Sequence, residues 1–499
     1  MCAQRVFLFL LASTPVVWTT TALAKEPTRP NILLLTVDDM SCDSVGVFGC
    51  KLEGTTPNID RLARNGLRFQ HAYVQVGNCM PCRNVLMSGR YPHNNGVEGF
   101  RQVKGAKYPI LVDLMRDAGY FTGIFHKVGH STPYSPYVWD LVMGEADGER
   151  LNVKDPKSYY LATKAGLLAA EDANKPFCLV INISDPHKPF YGERKKDDDP
   201  QPSQVYKASD IPIPGFLFDH PMVRKELAMY YSSVRRADDC LGETLKALKE
   251  SGAEDDTVIV FLSDHGMPLP FAKTQVYYHS LRTPLIVSWP GVTKADCVDE
   301  THMVSVVDLL PTLLDVVGVD HPDGLDGRSF APLLTGKSQE DRDFIIGEYN
   351  ENAGGNRHPM RTVITRKYGY IFNPWSDGVN RFRTATQGTA TYRVMQTLAE
   401  TDPKIAARLD LFDHRVVEEF YDYERDPDAL TNLIDDPACE ELVEQARGRL
   451  SAWMQATGDH CLAPFTNRDD PESLRKYMEQ QNAITAGSRK NRSPKKRAK

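Results

Sequence analysis

The sequence predicts an α/β protein: a large mixed, mostly parallel sheet covered by helices, followed by a smaller α+β domain with an antiparallel sheet. Three observations lead there. Short apolar runs recur between helical patterns, within 29–37 (RPNILLLTV), 177–184 (FCLVINIS) and 257–262 (TVIVFL). Unbroken apolar runs are the mark of parallel strands buried on both faces. Each run ends in polar residues: Asp38-Asp39, Asp185-Pro186-His187 and Ser263-Asp264-His265-Gly266. From about 345 the pattern changes to alternation with aromatics, as in MRTVITRKYGYIFNP (360–374), which suits antiparallel strands.

The remaining elements follow in order. Residues 57–66 (PNIDRLARNG) have helical spacing and a glycine stop, and 83–89 read as a second helix. Residues 110–118 form a helix that leads into the strand YFTGIF. The stretch 190–215, rich in Lys, Asp and Pro, is a surface loop. Residues 222–250 are a long helix, 284–289 a strand, and 305–317 a helix. EEFYDYERDPDALTNLIDDP (418–437) reads as a strand, a turn and a helix start. No internal repeat is present. The expected domains are 1–24, 25–345, 346–465 and a disordered basic tail, 466–499.

Of 499 residues, 41% are hydrophobic and 25% charged, which excludes a disordered or fibrous chain. The net charge is −7, but it is unevenly spread. Setting aside Arg5 and the seven cations of SRKNRSPKKRAK (488–499) leaves fifty-one basic against sixty-six acidic residues, a net −15. An acidic body argues against a nucleic-acid partner. The basic run reads as a solvated tail. No internal apolar stretch approaches the roughly 20 residues that span a bilayer, so no stable membrane span is expected.

Residues 1–24 read as a cleaved signal peptide: Arg5, the short apolar core VFLFLLA, and the small-x-small site Ala22-Leu23-Ala24. The expected location is therefore secreted or periplasmic. Ten cysteines are too few for a disulfide scaffold at this length, although an exported chain could form a bridge such as Cys439–Cys461.

In open α/β sheets, sites form beyond the carboxyl ends of the strands. Asp38, Asp39, His187, Asp264 and His265 all fall there. The acids are hard ligands suited to Ca²⁺ or Mg²⁺. The segment GNCMPCRNVLMSGRYPHNNG (77–96) adds a cysteine at the start of a helix, with Arg83 one turn on. Helix dipole and cation would both favour a nucleophile at Cys79. A buried turn cysteine fits the same residues equally well.

Cys79-Met80-Pro81-Cys82-Arg83 with Leu86-Met87-Ser88-Gly89 resembles the type I sulfatase signature C-x-P-[SAC]-R-x-x-L-[LM]-[TS]-G. RPNILLLTVDDM, TPNIDRLARNGLRFQHAY, SDHGMPLP and FYDYERDPDALTNL resemble further segments of that family, in the family's order, over about residues 29–460. The resemblance implies an alkaline phosphatase-like fold and a formylglycine made from Cys79 by a formylglycine-generating enzyme. It implies a cation held by Asp38, Asp39, Asp264, His265 and the modified Cys79. Arg83 would hold the formylglycine hydrate. Lys127 and Lys273 would grip the sulfate, His187 would protonate the leaving group, and His130 would act as the base of the second step.

The substrate implied is a sulfated glycan. SDHGMPLPFAKTQ, HPMRTV (358–363) and WMQATGDHCLAP (453–464) resemble the N-sulfoglucosamine sulfohydrolases, whereas HKVGH (126–130) is similar to the iduronate-2-sulfatases. Glu348, Asn350, Arg357 and His358 are expected to reach the sugar from the smaller domain. Three rivals remain: an O-sulfatase on another sugar, a phosphate or phosphonate monoester hydrolase of the same superfamily, and a non-catalytic or thiol-redox protein using Cys79 and Cys82.

Overall fold

The computed structural model describes residues 29–490 apart from 104, 147 and 195–198. The signal-peptide reading and the last nine residues of the basic tail lie outside the described residues.

The described residues form fourteen strands: β1 (Asn31–Asp38), β2 (Leu67–Tyr73), β3 (Phe121–Phe125), β4 (Leu141–Val142), the short hairpin β5 (Glu145–Ala146) and β6 (Glu149–Arg150), β7 (Phe177–Pro186), β8 (Thr257–Ser263), β9 (Leu285–Ser288), β10 (Cys297–Ser305), β11 (Phe344–Glu351), β12 (Arg357–Thr365), β13 (Tyr368–Phe372) and β14 (Glu418–Asp422). Eight make one sheet in the order β10-β2-β9-β8-β1-β7-β3-β4. All its pairings are parallel except those of β9, which runs antiparallel to both neighbours. The centre is β8-β1-β7, where Leu33 sits level with Leu179 on one side and Ile259 on the other. β7 and β8 are buried along their whole length, which is why their sequences do not alternate.

Two long helices, Pro156–Asp172 and Pro221–Glu250, pack on each other and on β7. Both begin with proline at the first turn behind a capping side chain: Asp155 accepts from the Lys157 amide, and His220 from the Met222 amide. The helix Cys79–Ser88 is buried on every side and ends at Gly89, whose φ of 62° favours glycine.

β11 to β14 form a separate antiparallel sheet in sequential order. It is stitched to the large sheet's edge by the Glu348 amide, which donates to the Gln75 carbonyl (2.8 Å). The expected strand, turn and helix start over 418–437 are found: β14 is followed by turns, and a 3-10 helix begins at Pro437 behind the capping side chain of Asp436 and runs into the α-helix Glu440–Thr457. One expectation fails here. Residues 471–490, expected in a disordered tail, form a helix, Pro471–Lys490, that buries Leu474, Tyr477 and Met478. No described helix is long and apolar enough to cross a membrane.

Candidate active site

Four neighbouring parallel strands deliver the site. β8, β1, β7 and β3 lie side by side, and just past their carboxyl ends stand Asp264 and His265, Asp39, His187, and Lys127; Asp38 closes β1. The chain turns sharply there: Asp39, His126 and Lys127 take left-handed conformations (φ 73°, 60° and 50°). Such backbone costs about 1 kcal/mol or more per residue and persists where surrounding structure enforces it. Gly266 is needed for a different reason: a Cβ there would lie 2.0 Å from the His279 carbonyl oxygen.

Asp38, Asp39, Asp264 and His265 each offer a ligand atom within 4.8 Å of the others, and Cys79 Sγ converges equally closely with Asp38 and His265. Cys79 is the first residue of its helix and is only 4% exposed. One turn on, Arg83 is tied into the floor. Its Nε and Nη2 reach Asp264 Oδ2 (3.1 and 2.8 Å). Its Nη1 donates to Thr36 Oγ1 and Asn182 Oδ1 (2.6 Å each). Thr36 and Asn182 face one another in register on β1 and β7. Polar residues in two otherwise apolar runs were the available signal for them, and sequence reasoning passed over it.

Asp38 is held ionised. Burial would raise the Asp38 pKa, but Lys127, His187, Arg83 and Lys273 together hold it well below the usual carboxylate range. Lys127 Nζ pairs with Asp38 Oδ2, and Lys273 Nζ with both oxygens of Asp39 (2.6 and 2.8 Å). His265 Nδ1 donates to the Gly266 carbonyl (3.0 Å), which turns Nε2 toward Asp39 and Asp264. Burial opposes a charge on that ring, yet the two carboxylates raise its pKa to about 9.

The residues fit a divalent cation. Asp38 Oδ1 and His265 Nε2 are buried and have no hydrogen-bond partner, and both point into a cluster of three carboxylates. Hard oxygen donors with one imidazole suit Ca²⁺ or Mg²⁺. Asp185, also at the end of β7, does not join them, because Arg236 Nε and Lys154 Nζ hold its two oxygens (2.6 Å each). Lys154 also donates to the His187 carbonyl (2.6 Å). The His187 Nδ1 donates to the Lys188 carbonyl (2.6 Å), leaving Nε2 for other partners. His130 packs edge-on to Phe100, and burial with nearby Lys127 and Arg83 lowers its pKa to about 4.

Above this floor opens a cavity of about 820 Å³, within the range of small-molecule sites. Cys79, Lys127, His130, His187 and Lys273 line it from the large sheet. The opposite wall comes from Asn352, Ala353, Arg381, Phe382 and Arg383, none of which sequence reasoning identified. The expected sugar contacts are corrected. Glu348 is fully buried against His93 Nδ1 (2.7 Å), and Asn350 accepts from Arg361 (3.0 Å), so both belong to the packing under the second sheet. Arg357 pairs with Glu98 (2.5 Å), and His358 packs between Trp375 and Phe382. These two line an adjoining cavity of about 560 Å³ instead. The Cys439–Cys461 bridge is not formed, since every described cysteine is a free thiol, Cys79 and Cys82 included. Burial pushes the Cys82 thiol well above its ordinary range, which keeps it inert.

A sheet of this order, with a helix-start cysteine and an acid–histidine cluster at its carboxyl edge, defines the sulfatase class. The sulfatase family model matches residues 30–319, and the model of the N-sulphoglucosamine sulphohydrolase C-terminal region matches 264–377. The chain belongs to the sulfatase family. It is similar to the human N-sulphoglucosamine sulphohydrolase, 30% identical over 86% of this chain and 91% of that protein. An ulvan-active sulfatase of Formosa agariphila is 28% identical over 86% of this chain and 81% of its own. Among solved structures, one in complex with its substrate D-glucosamine-2-N,6-O-disulfate superposes with a TM-score of 0.65 at 19% identity, over 87% of this chain and 99% of that one, a likeness of fold.

Proposed function

We propose that this sulfatase removes the N-linked sulfate of glucosamine at a chain end of heparin or heparan sulfate, using a formylglycine made from Cys79 and one divalent cation, Ca²⁺ or Mg²⁺. The observation that carries the reading is the convergence of Cys79 Sγ with Asp38 and His265 at the floor of a cavity lined by two lysines and two histidines. The N-linked sulfate is favoured because the match to the sulphohydrolase C-terminal region spans Lys273 and His358.

Asp38, Asp39, Asp264 and His265 would hold the cation, which would draw charge from a sulfate oxygen and acidify a hydroxyl at position 79. Lys127 and Lys273 line the floor as ammonium groups and bind the nonbridging sulfate oxygens as charge builds there. Arg83 fixes the carboxylates of Asp38 and Asp264 and adds positive charge beneath position 79. His187, anchored through Nδ1, delivers a proton from Nε2 to the departing nitrogen. His130, neutral above about pH 4, accepts a proton. Export by the 1–24 signal and modification by a formylglycine-generating enzyme belong to the same proposal.

The second reading is an O-sulfatase on another sugar, favoured by the HKVGH spacing and by the ulvan-active relative. Parallel turnover of N-sulfoglucosamine, glucosamine 6-O-sulfate, a 2-O-sulfated uronate and a phosphonate monoester separates them. Highest kcat/KM on N-sulfoglucosamine supports the first reading. Preference for an O-sulfate replaces it with the second, and preference for the phosphonate ends both.

A further inference from the structure

We propose that Arg383 is a specificity residue whose guanidinium binds a second anionic group of the substrate, a carboxylate or O-sulfate on the sugar next to the one being desulfated. The inference rests on the sulfated-glycan reading above.

Residues 381–383 alternate in direction. Phe382 is fully buried among Trp375, His358, Tyr349 and Phe412, whereas Arg381 and Arg383 are exposed. The backbone is pinned at each step. The Phe382 amide donates to the Asp413 carbonyl (2.6 Å), Gln387 Nε2 donates to the Phe382 carbonyl (2.8 Å), and Asn352 Nδ2 donates to the Arg383 carbonyl (2.5 Å). Arg383 is therefore presented by a fixed segment, which reduces the entropy lost on binding.

The other cations of the pocket are engaged. Lys127 and Lys273 are paired with Asp38 and Asp39. Arg381 is paired with Asp413 (2.6 Å) and donates to the Tyr392 hydroxyl (2.5 Å). Among the described residues, no acid pairs with Arg383, and its side chain makes no hydrogen bond. Arg383 lines both the catalytic cavity and the adjoining 560 Å³ cavity, so it stands where a neighbouring ring would lie. The scissile sulfate belongs to the lysines at the floor. A planar guanidinium suits carboxylate and sulfate oxygens alike.

The test is Arg383→Gln assayed with N-sulfoglucosamine and with disaccharides in which that sugar is joined to a uronate, a 2-O-sulfated uronate or a carboxyl-reduced uronate. The expected result is a KM raised about tenfold for the anionic disaccharides and less than about twofold for the monosaccharide and the reduced form, with kcat little changed. Arg383→Lys should recover part of the loss, and added salt should shrink the difference. The uronate and 2-O-sulfate arms tell which anion is read. Equal effects on charged and neutral substrates, or no effect on either, overturn the inference. Where the wild type leaves N-sulfoglucosamine untouched, the substrate reading fails on its own. The inference is then decided by titrating the uronate disaccharide against wild type and Arg383→Gln, with a tenfold weaker Kd expected for the variant and equal Kd values overturning it.

Discussion

Among the described residues, two places bring Asp, His and Cys ligand atoms within 4.8 Å of one another, and one of them is built like a metal centre. At the sheet edge, Asp38 Oδ1 and His265 Nε2 are buried without hydrogen-bond partners, next to Cys79, which lines the large cavity. At Asp459, His460 and Cys461 every ligand atom is already used. Both Asp459 oxygens accept from Arg361 (2.6 and 2.8 Å). His460 contacts Tyr477 Oη through Nδ1 (2.9 Å) and Glu98 through Nε2 (2.7 Å), and Cys461 Sγ meets the same tyrosine (3.0 Å). Residue types within reach do not make a site; unmet bonding capacity beside a cavity does.

The sharpest way to break this comparison is at the nucleophile. Cys79→Ala should lower kcat by about 10⁴-fold or more while the fold is retained, measured by single-turnover desulfation beside circular dichroism. Cys461→Ala should leave kcat within about twofold. Asp264→Asn comes next. It removes a carboxylate from the cation cluster and one partner of Arg83, so activity should fall about 10²-fold or more, and added Ca²⁺ or Mg²⁺ should not restore it. Chelation of the wild type should be reversed by either ion.

Arg361→Met probes the second cluster. It leaves the Asp459 carboxylate buried and unpaired, at a cost of about 3–5 kcal/mol in unfolding free energy. In the folded fraction kcat/KM should be unchanged, and a loss of metal content would show the two clusters to be alike. The smallest effect is one of pH. Burial opposes ionisation of Glu98, but His460 and Arg357 hold its carboxyl far below the ordinary 4.5. The folded pKa is depressed, so Glu98 stabilises the fold above pH 4.5 and that contribution fades as pH falls below it. Glu98→Gln should flatten the acid side of the stability profile, read from urea midpoints between pH 5 and pH 3.

The floor of the site was legible because it sits on short local signals. β1, β7 and β8 are apolar runs, and each hands over to acids or histidines at its end. Lys127, His130 and Lys273 follow less regular segments and emerged only through the family resemblance. The Arg381–Arg383 wall was invisible, since it belongs to an aperiodic loop whose place is set by Phe382 packing far from the strands. Glu348 misled for a related reason. A polar residue in an alternating strand suggests a solvent or ligand face, but β11 turns that face onto His93 and Arg361. The helix Pro471–Lys490 was obscured by the charge of the final dozen residues. Leu474, Tyr477, Met478 and Gln481 do carry i, i+3, i+4, i+7 spacing, and all four are buried.

The most direct test of the central claim is the mass of the peptide containing residue 79, taken from active protein made with a formylglycine-generating enzyme. The account expects the mass to fall from that of cysteine to that of the aldehyde, with Cys82 remaining a free thiol. An unmodified Cys79, or a Cys79–Cys82 disulfide, in protein that still desulfates its substrate would contradict it.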